Sequence, residues 1–119
     1  MTAPPPNALE SVGEILARVD DRQPAVFVDF DGTLAPIVER PEEARISERM
    51  RSTLARLARV CPVAVVSGRD LSDLAGRVGL EEVAYAGSHG FEIRTADGER
   101  LNPTRADEFV DELEAAERQ

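Results

Sequence analysis

Lysine and tryptophan are both absent from these 119 residues, and cysteine and histidine occur once each, as Cys61 and His89. Without lysine, all 14 basic residues are arginines, so an anionic ligand has to be held by guanidinium or backbone N–H groups. Four phenylalanines and one tyrosine leave little for stacking on nucleic-acid bases. The net charge of −9 opposes polyanions and anionic lipid, so neither nucleic acid nor membrane is an expected partner. A single cysteine cannot close an internal disulfide, which fits a reducing compartment. Cys61 ends a helical apolar pattern and reads as a small buried residue. A lone histidine without Cys or His partners does not make a zinc site. No apolar run reaches membrane-spanning length. Residues 1–6 carry no basic region followed by an apolar core, so no secretory signal is visible and the cytoplasm is the expected location.

What is present is one domain's worth of chain with an alternating pattern. Pro4–Pro6 form an extended tail, and Asn7 is placed to cap a helix with Leu9, Val12, Ile15, Leu16 and Val19 at helical spacing. An apolar run at about 25–29 then reads as a strand buried on both faces. After an irregular stretch with Pro36 and Pro41, Ser47 caps a helix that turns Met50, Leu54, Leu57 and Cys61 inward. A second strand is expected at about 63–67 and a third at about 83–86. Between them lies a helix with Leu71, Leu74, Ala75 and Val78 on one face, closed by Gly79. Strand, helix, strand, helix, strand implies a parallel sheet. The pattern then changes to a small antiparallel ribbon at about 91–101, turned at Ala96-Asp97-Gly98-Glu99, and a terminal helix over 106–118. The expected partition is 1–24 tail and helix, 25–105 α/β core, and 106–119 a separate helix.

The chemistry gathers where the strands end. Asp29 and Asp31 alternate at the C-terminal edge of the first strand, where open α/β sheets place their ligands, and Gly32 allows a tight turn after them. A bare hairpin at Asp31-Gly32 is the competing reading, and Pro36 in the following run speaks against it. The second strand ends in Ser67-Gly68-Arg69, the third in Gly87-Ser88-His89-Gly90. The first cluster offers a nucleophile, an acid/base and hard oxygen ligands for magnesium. The second offers a hydroxyl and backbone N–H groups suited to phosphate. Together they suit phosphoryl transfer through an aspartyl-phosphate. Taken singly, Ser67 could be only a helix N-cap with Asp70 in a capping-box role, Arg69 a surface residue, and His89 a turn residue.

Val28-Asp29-Phe30-Asp31-Gly32-Thr33-Leu34 and Val65-Val66-Ser67-Gly68-Arg69 resemble the first two motifs of haloacid-dehalogenase-type phosphatases. With Tyr85-Ala86-Gly87-Ser88-His89-Gly90-Phe91-Glu92-Ile93, the wording is similar to the trehalose-6-phosphate phosphatases of that superfamily. The likeness runs from about Ala25 to Ile93 and more loosely into the terminal helix. It implies a Rossmann-like three-layer core and hydrolysis of a small sugar phosphate, trehalose 6-phosphate, with Mg2+. It implies that Asp29 is the nucleophile and a metal ligand. Asp31 would be the general acid/base, with its carbonyl on the metal. Thr33 would steer the loop and Ser67 and Gly68 would bind the phosphoryl group, with Arg69 and the Gly87 to Glu92 segment, His89 included, near the substrate entrance. The family's later lysine and second acidic cluster, which follow an inserted cap, have no counterpart here. The core is therefore expected to be incomplete and the 119 residues alone to have little phosphatase activity. The alternatives are a fragment or split-enzyme subunit with a binding role, associating with a complementary chain or itself, or another sugar phosphatase of the superfamily.

Overall fold

The structure is a computed structural model that describes residues 2–101 and 115–118. Five short strands, β1 (Val26–Asp29), β2 (Val63–Val66), β3 (Ala84–Gly87), β4 (Glu92–Arg94) and β5 (Arg100–Leu101), form one sheet in chain order. β1–β2 and β2–β3 are parallel; β3–β4 and β4–β5 are antiparallel. The expected parallel core and ribbon are both present, with boundaries shifted by a residue or so. Among the described residues, three α-helices of eight residues or more accompany the sheet: α1 (Val12–Val19), α2 (Glu48–Ala58) and α3 (Leu71–Val78). The terminal helix expected over 106–118 lies largely outside the described residues, which show a helical turn at 115–117.

Caps in the sequence set the helix boundaries. The Ser47 hydroxyl accepts from Met50 N at 3.1 Å, as its position before α2 predicts. Asn7 accepts from Leu9 N at 2.9 Å, but it caps a short 3-10 turn at Ala8–Glu10, and α1 starts two residues later. At α3 the cap is Asp70, whose carboxylate accepts from Asp73 N at 2.8 Å. This corrects the capping-box reading, which put Ser67 at the cap and Asp70 three residues into the helix. The helix starts later, and Ser67 is left in the loop for another use.

The core lies on one face of the sheet. Val63, Val65 and Tyr85 point into it and meet Leu54 of α2 and Leu71, Leu74 and Val78 of α3; Val26 and Val28 pack against this cluster. Cys61 is buried there, as expected. The opposite face carries Phe27, 72% exposed, and Val66, 37% exposed. The reading of β1 as buried on both faces is therefore corrected: burial alternates along it, because among the described residues no element covers the Phe27 side. No residue of α1 is buried either, although its apolar positions keep helical spacing.

Two tertiary hydrogen-bond sets lock the covered face. Arg51 of α2 donates from Nε to Val78 O at 2.8 Å, satisfying a carbonyl at the end of α3. Tyr85, fully buried, donates its hydroxyl to Leu80 O and accepts from Leu80 N at 3.2 Å. Burial raises the Tyr85 phenol above its ordinary value of 10.0, because the charged form is disfavoured in the core. Folding therefore holds the proton more tightly than the unfolded chain does. That contribution is complete below about pH 10 and is lost as pH rises beyond it. Tyr85→Phe is expected to lower stability by about 1–2 kcal/mol at neutral pH through the orphaned Leu80 groups. Urea unfolding at stepped pH should also show a shallower alkaline decline in the variant than in the parent.

Candidate active site

Phe30 anchors the end of β1. Its side chain is fully buried, and its carbonyl accepts from Leu34 N and Ala35 N, both at 3.0 Å. Gly32, at φ +85°, lets the chain reverse so that its N–H reaches Ala35 O at 2.8 Å. With Phe30 turned inward, Asp29 and Asp31 on either side of it are both exposed, and Thr33 is exposed in the same turn. This is a turn leading into a loop, and the paired strand that a hairpin would require does not follow it.

β2 sets the second cluster beside the first. Asp29 and Val66 are register partners, so Ser67 leaves β2 next to the carboxylate-bearing turn. Ser67 is 5% exposed; its Oγ accepts from Arg69 N at 3.1 Å. The third strand end clasps this loop. Ser88 N donates to Arg69 O at 2.6 Å and His89 N to Ser67 O at 3.1 Å. Both residues sit at positive φ, 49° and 56°, a conformation that costs non-glycine residues about 1–3 kcal/mol unless the surroundings enforce it. The clasp supplies that enforcement, together with the Ser88 hydroxyl on Glu92 Oε1 at 2.6 Å. The His89 ring lies over Gly68, where an added Cβ would sit 2.6 Å from Cε1.

Arg69 dominates the electrostatics. Its Nε and NH2 donate to the two carboxylate oxygens of Asp31 at 3.0 and 2.7 Å, a bidentate pair. NH2 also donates to Pro41 O at 2.7 Å, and NH1 to Asp73 Oδ2 at 3.1 Å. The guanidinium stands 5.5 Å from the Phe30 ring centre. These contacts, the Asp31 hydrogen bond first, hold Arg69 more firmly protonated than a free arginine. Asp73 is drawn below the usual carboxylate range, chiefly by the hydrogen bond from Arg77. Arg77 Nε reaches Asp73 Oδ1 at 2.8 Å, and its NH1 donates to Glu42 O at 3.1 Å and Ala44 O at 2.8 Å.

The result is a cleft lined by Asp31, Ile37, Val38, Pro41, Gly68, Arg69 and His89. Four of the residues singled out from the sequence therefore meet in one cleft. Asp29 ends β1 and Ser67 follows the adjacent β2, and neither they nor Thr33 line the cleft. Sequence reasoning missed Asp73 and Arg77; Glu92 lies in the segment it places near the entrance, and the structure adds its hydrogen bond from Ser88. The four-residue steps from Arg69 to Asp73 to Arg77 carry a signal for a charged helix face. Nothing local marks its link to Asp31, 38 residues upstream of Arg69.

For a divalent cation the donor set fits in kind and falls short in number. Magnesium takes hard oxygens in octahedral geometry. Both carboxylate oxygens of Asp31 already accept from Arg69, which leaves the Asp29 carboxylate and the residue-31 carbonyl as the donors of this turn. Among the described residues no group of three or more His, Cys, Asp or Glu could hold a metal ion.

A family model for trehalose-phosphatases matches residues 27–119. The chain belongs to the trehalose-phosphatase family. Over 93 residues it is 52% identical to a trehalose-phosphate phosphatase of Mycobacterium tuberculosis, covering 78% of this chain and 24% of that protein. It is 45% identical over 111 residues to an M. tuberculosis protein described as an uncharacterized glycosyl hydrolase, covering 93% of this chain and 8% of that protein. The Aspergillus fumigatus trehalose-6-phosphate phosphatase structure superposes with a TM-score of 0.67 at 32% identity, covering 81% of this chain and 37% of the other. The chain thus spans about a quarter or less of the curated relatives it matches. Haloacid-dehalogenase-like hydrolases share the mixed α/β fold. Among the described residues no helix is long and apolar enough to cross a membrane.

Proposed function

We propose that this chain is the N-terminal part of a magnesium-dependent sugar-phosphate phosphatase that converts trehalose 6-phosphate to trehalose and phosphate. The observation that carries the reading is the convergence of Asp31, Gly68, Arg69 and His89 on one cleft beside Asp29. Its support is the kinship to proteins named for that reaction. In this reading residues 25–105 are the partial core, and the polypeptide acts in the cytoplasm.

Asp29, exposed and free to approach the phosphoryl group, is the nucleophile that forms an aspartyl-phosphate. Asp31 enters the cycle protonated on one oxygen with the other still accepting from Arg69, gives that proton to the departing sugar oxygen, and then, as the carboxylate paired with both Arg69 nitrogens, takes one from the attacking water. Ser67 Oγ and the N–H of Gly68 bind phosphoryl oxygens, and Thr33 steers the turn. Arg69 and His89 stand at the entrance and contact the sugar side. Magnesium, held by the Asp29 carboxylate and the Asp31 carbonyl with oxygens from substrate, water and chain outside the described residues, would offset repulsion between two anions. The test is phosphate release from trehalose 6-phosphate, with and without magnesium, by the full polypeptide that carries this segment. Turnover that needs the metal is expected. Absence of turnover on this substrate, with turnover on another sugar phosphate, would move the reading to that substrate.

A further inference from the structure

The bidentate Arg69–Asp31 pair leaves one guanidinium nitrogen, NH1, pointing away from the cleft, and Asp73 holds it at 3.1 Å. Asp73 is in turn fixed on its other oxygen by Arg77 at 2.8 Å, and Arg77 is fixed by the carbonyls of residues 42 and 44. Asp73 sits in the first turn of α3, a helix buried through Leu71, Leu74 and Val78. The orientation of the Asp31 carboxylate is thus referred, through one guanidinium plane, to the most firmly packed helix of the domain. The two carboxylates are 36% (Asp73) and 43% (Asp31) exposed around an Arg69 that is 11% exposed, and pairs with carboxylates this exposed add modestly to folding. Their shared, directional geometry is what a positioning function requires.

We propose that Asp73 is a positioning residue for the acid/base Asp31, acting through the fork of Arg69. The inference rests on the reading of Asp31 given above. Asp73 sets where the carboxylate stands relative to the leaving oxygen and does not itself touch substrate. Turning the guanidinium by loss of its NH1 anchor would carry Asp31 with it. The consequence falls on the step in which a poor leaving group needs a proton and spares a substrate whose leaving group departs unaided.

The experiment compares first-turnover release of the leaving group from trehalose 6-phosphate and from p-nitrophenyl phosphate, in the full polypeptide. Trehalose leaves as an alkoxide unless protonated, whereas p-nitrophenolate leaves readily. At saturating substrate, Asp73→Asn is expected to slow first-turnover release from the sugar phosphate about tenfold or more and from the aryl phosphate by less than about twofold. Arg69→Lys, which keeps the charge and loses the fork, should show the same selectivity at saturating substrate, with any lost sugar contact appearing in KM instead, and provides a second test should Asp73→Asn fold poorly. Equal losses on both substrates in both variants, or no loss on either, would overturn the proposal. Asp31→Asn serves as the reference. If it too slows both substrates alike, the acid assignment itself fails and this inference with it. If it is selective while Asp73→Asn is not, Asp73 alone is removed.

Discussion

Asp29→Asn is expected to remove phosphatase turnover from the full polypeptide, by roughly a thousandfold or more. The substituted amide keeps the size of the carboxylate but lacks the anionic oxygen that attacks phosphorus in the proposed mechanism, so in that mechanism no acyl-phosphate can form. It also removes the one side-chain carboxylate of the turn that Arg69 does not engage. Asp29 is exposed at the end of β1, so the substitution should leave folding within about 0.5 kcal/mol of the parent. Thermal melting and phosphate release measured on one preparation separate the two effects. Intact-protein mass after brief exposure to substrate should show a single added phosphoryl group in the parent and none in the variant. Retained turnover in Asp29→Asn, above about a tenth of the parent rate, would refute the nucleophile assignment.

Gly87→Ala should be the most damaging small substitution in the described fold. A Cβ at position 87 would stand 2.7 Å from Leu71 N, 2.8 Å from Leu71 Cα and 2.9 Å from Arg69 O. All three are backbone atoms, so no side chain can swing aside, and β3 has to part from the loop that enters α3. A cost of about 3 kcal/mol is expected, or a fall in melting temperature on the order of 10 °C. The same displacement would break the Ser88 N to Arg69 O hydrogen bond and loosen the clasp on Ser67 and Arg69. Gly76→Ala is the control: an added Cβ meets nothing within 4 Å, and alanine in the middle of α3 should be neutral or stabilising by up to about 1 kcal/mol. Similar melting points for the two variants would show that the β3–α3 joint is looser than this packing implies.

Much of the fold was legible because its signals are local. Two β-branched runs and one small-residue run, separated by amphipathic helices of one length class, admit few topologies beyond a parallel sheet. The antiparallel ribbon followed from alternation and from a turn at Asp97-Gly98, where Gly98 indeed takes φ +88°. The errors arose where burial depends on neighbours. A valine- and phenylalanine-rich strand looks the same whether one face or both are covered, so Phe27 was misassigned. The start of α3 at Leu71 is where the apolar spacing puts it, but Ser67 and Asp70 are both capable caps and the residues alone do not choose between them. The choice fell to Asp70 when Ser67 was drawn into the clasp of residues 88 and 89.

The candidate site divides along the same line. From the residues alone came the chemistry: two carboxylates one residue apart at a strand end, a small hydroxyl loop at the next, a glycine-flanked turn at the third, and an all-arginine set of cations. These are properties of side-chain type and of strand alternation, which a chain carries before it folds. Tertiary structure decided which of these groups touch. It paired Arg69 with Asp31 across 38 residues, tied that pair to Asp73 and Arg77, and folded Ser88 and His89 over Ser67 and Gly68. Such contacts depend on strand register and on the pitch of a packed helix. Both are set by burial across the whole core rather than by any local run of residues.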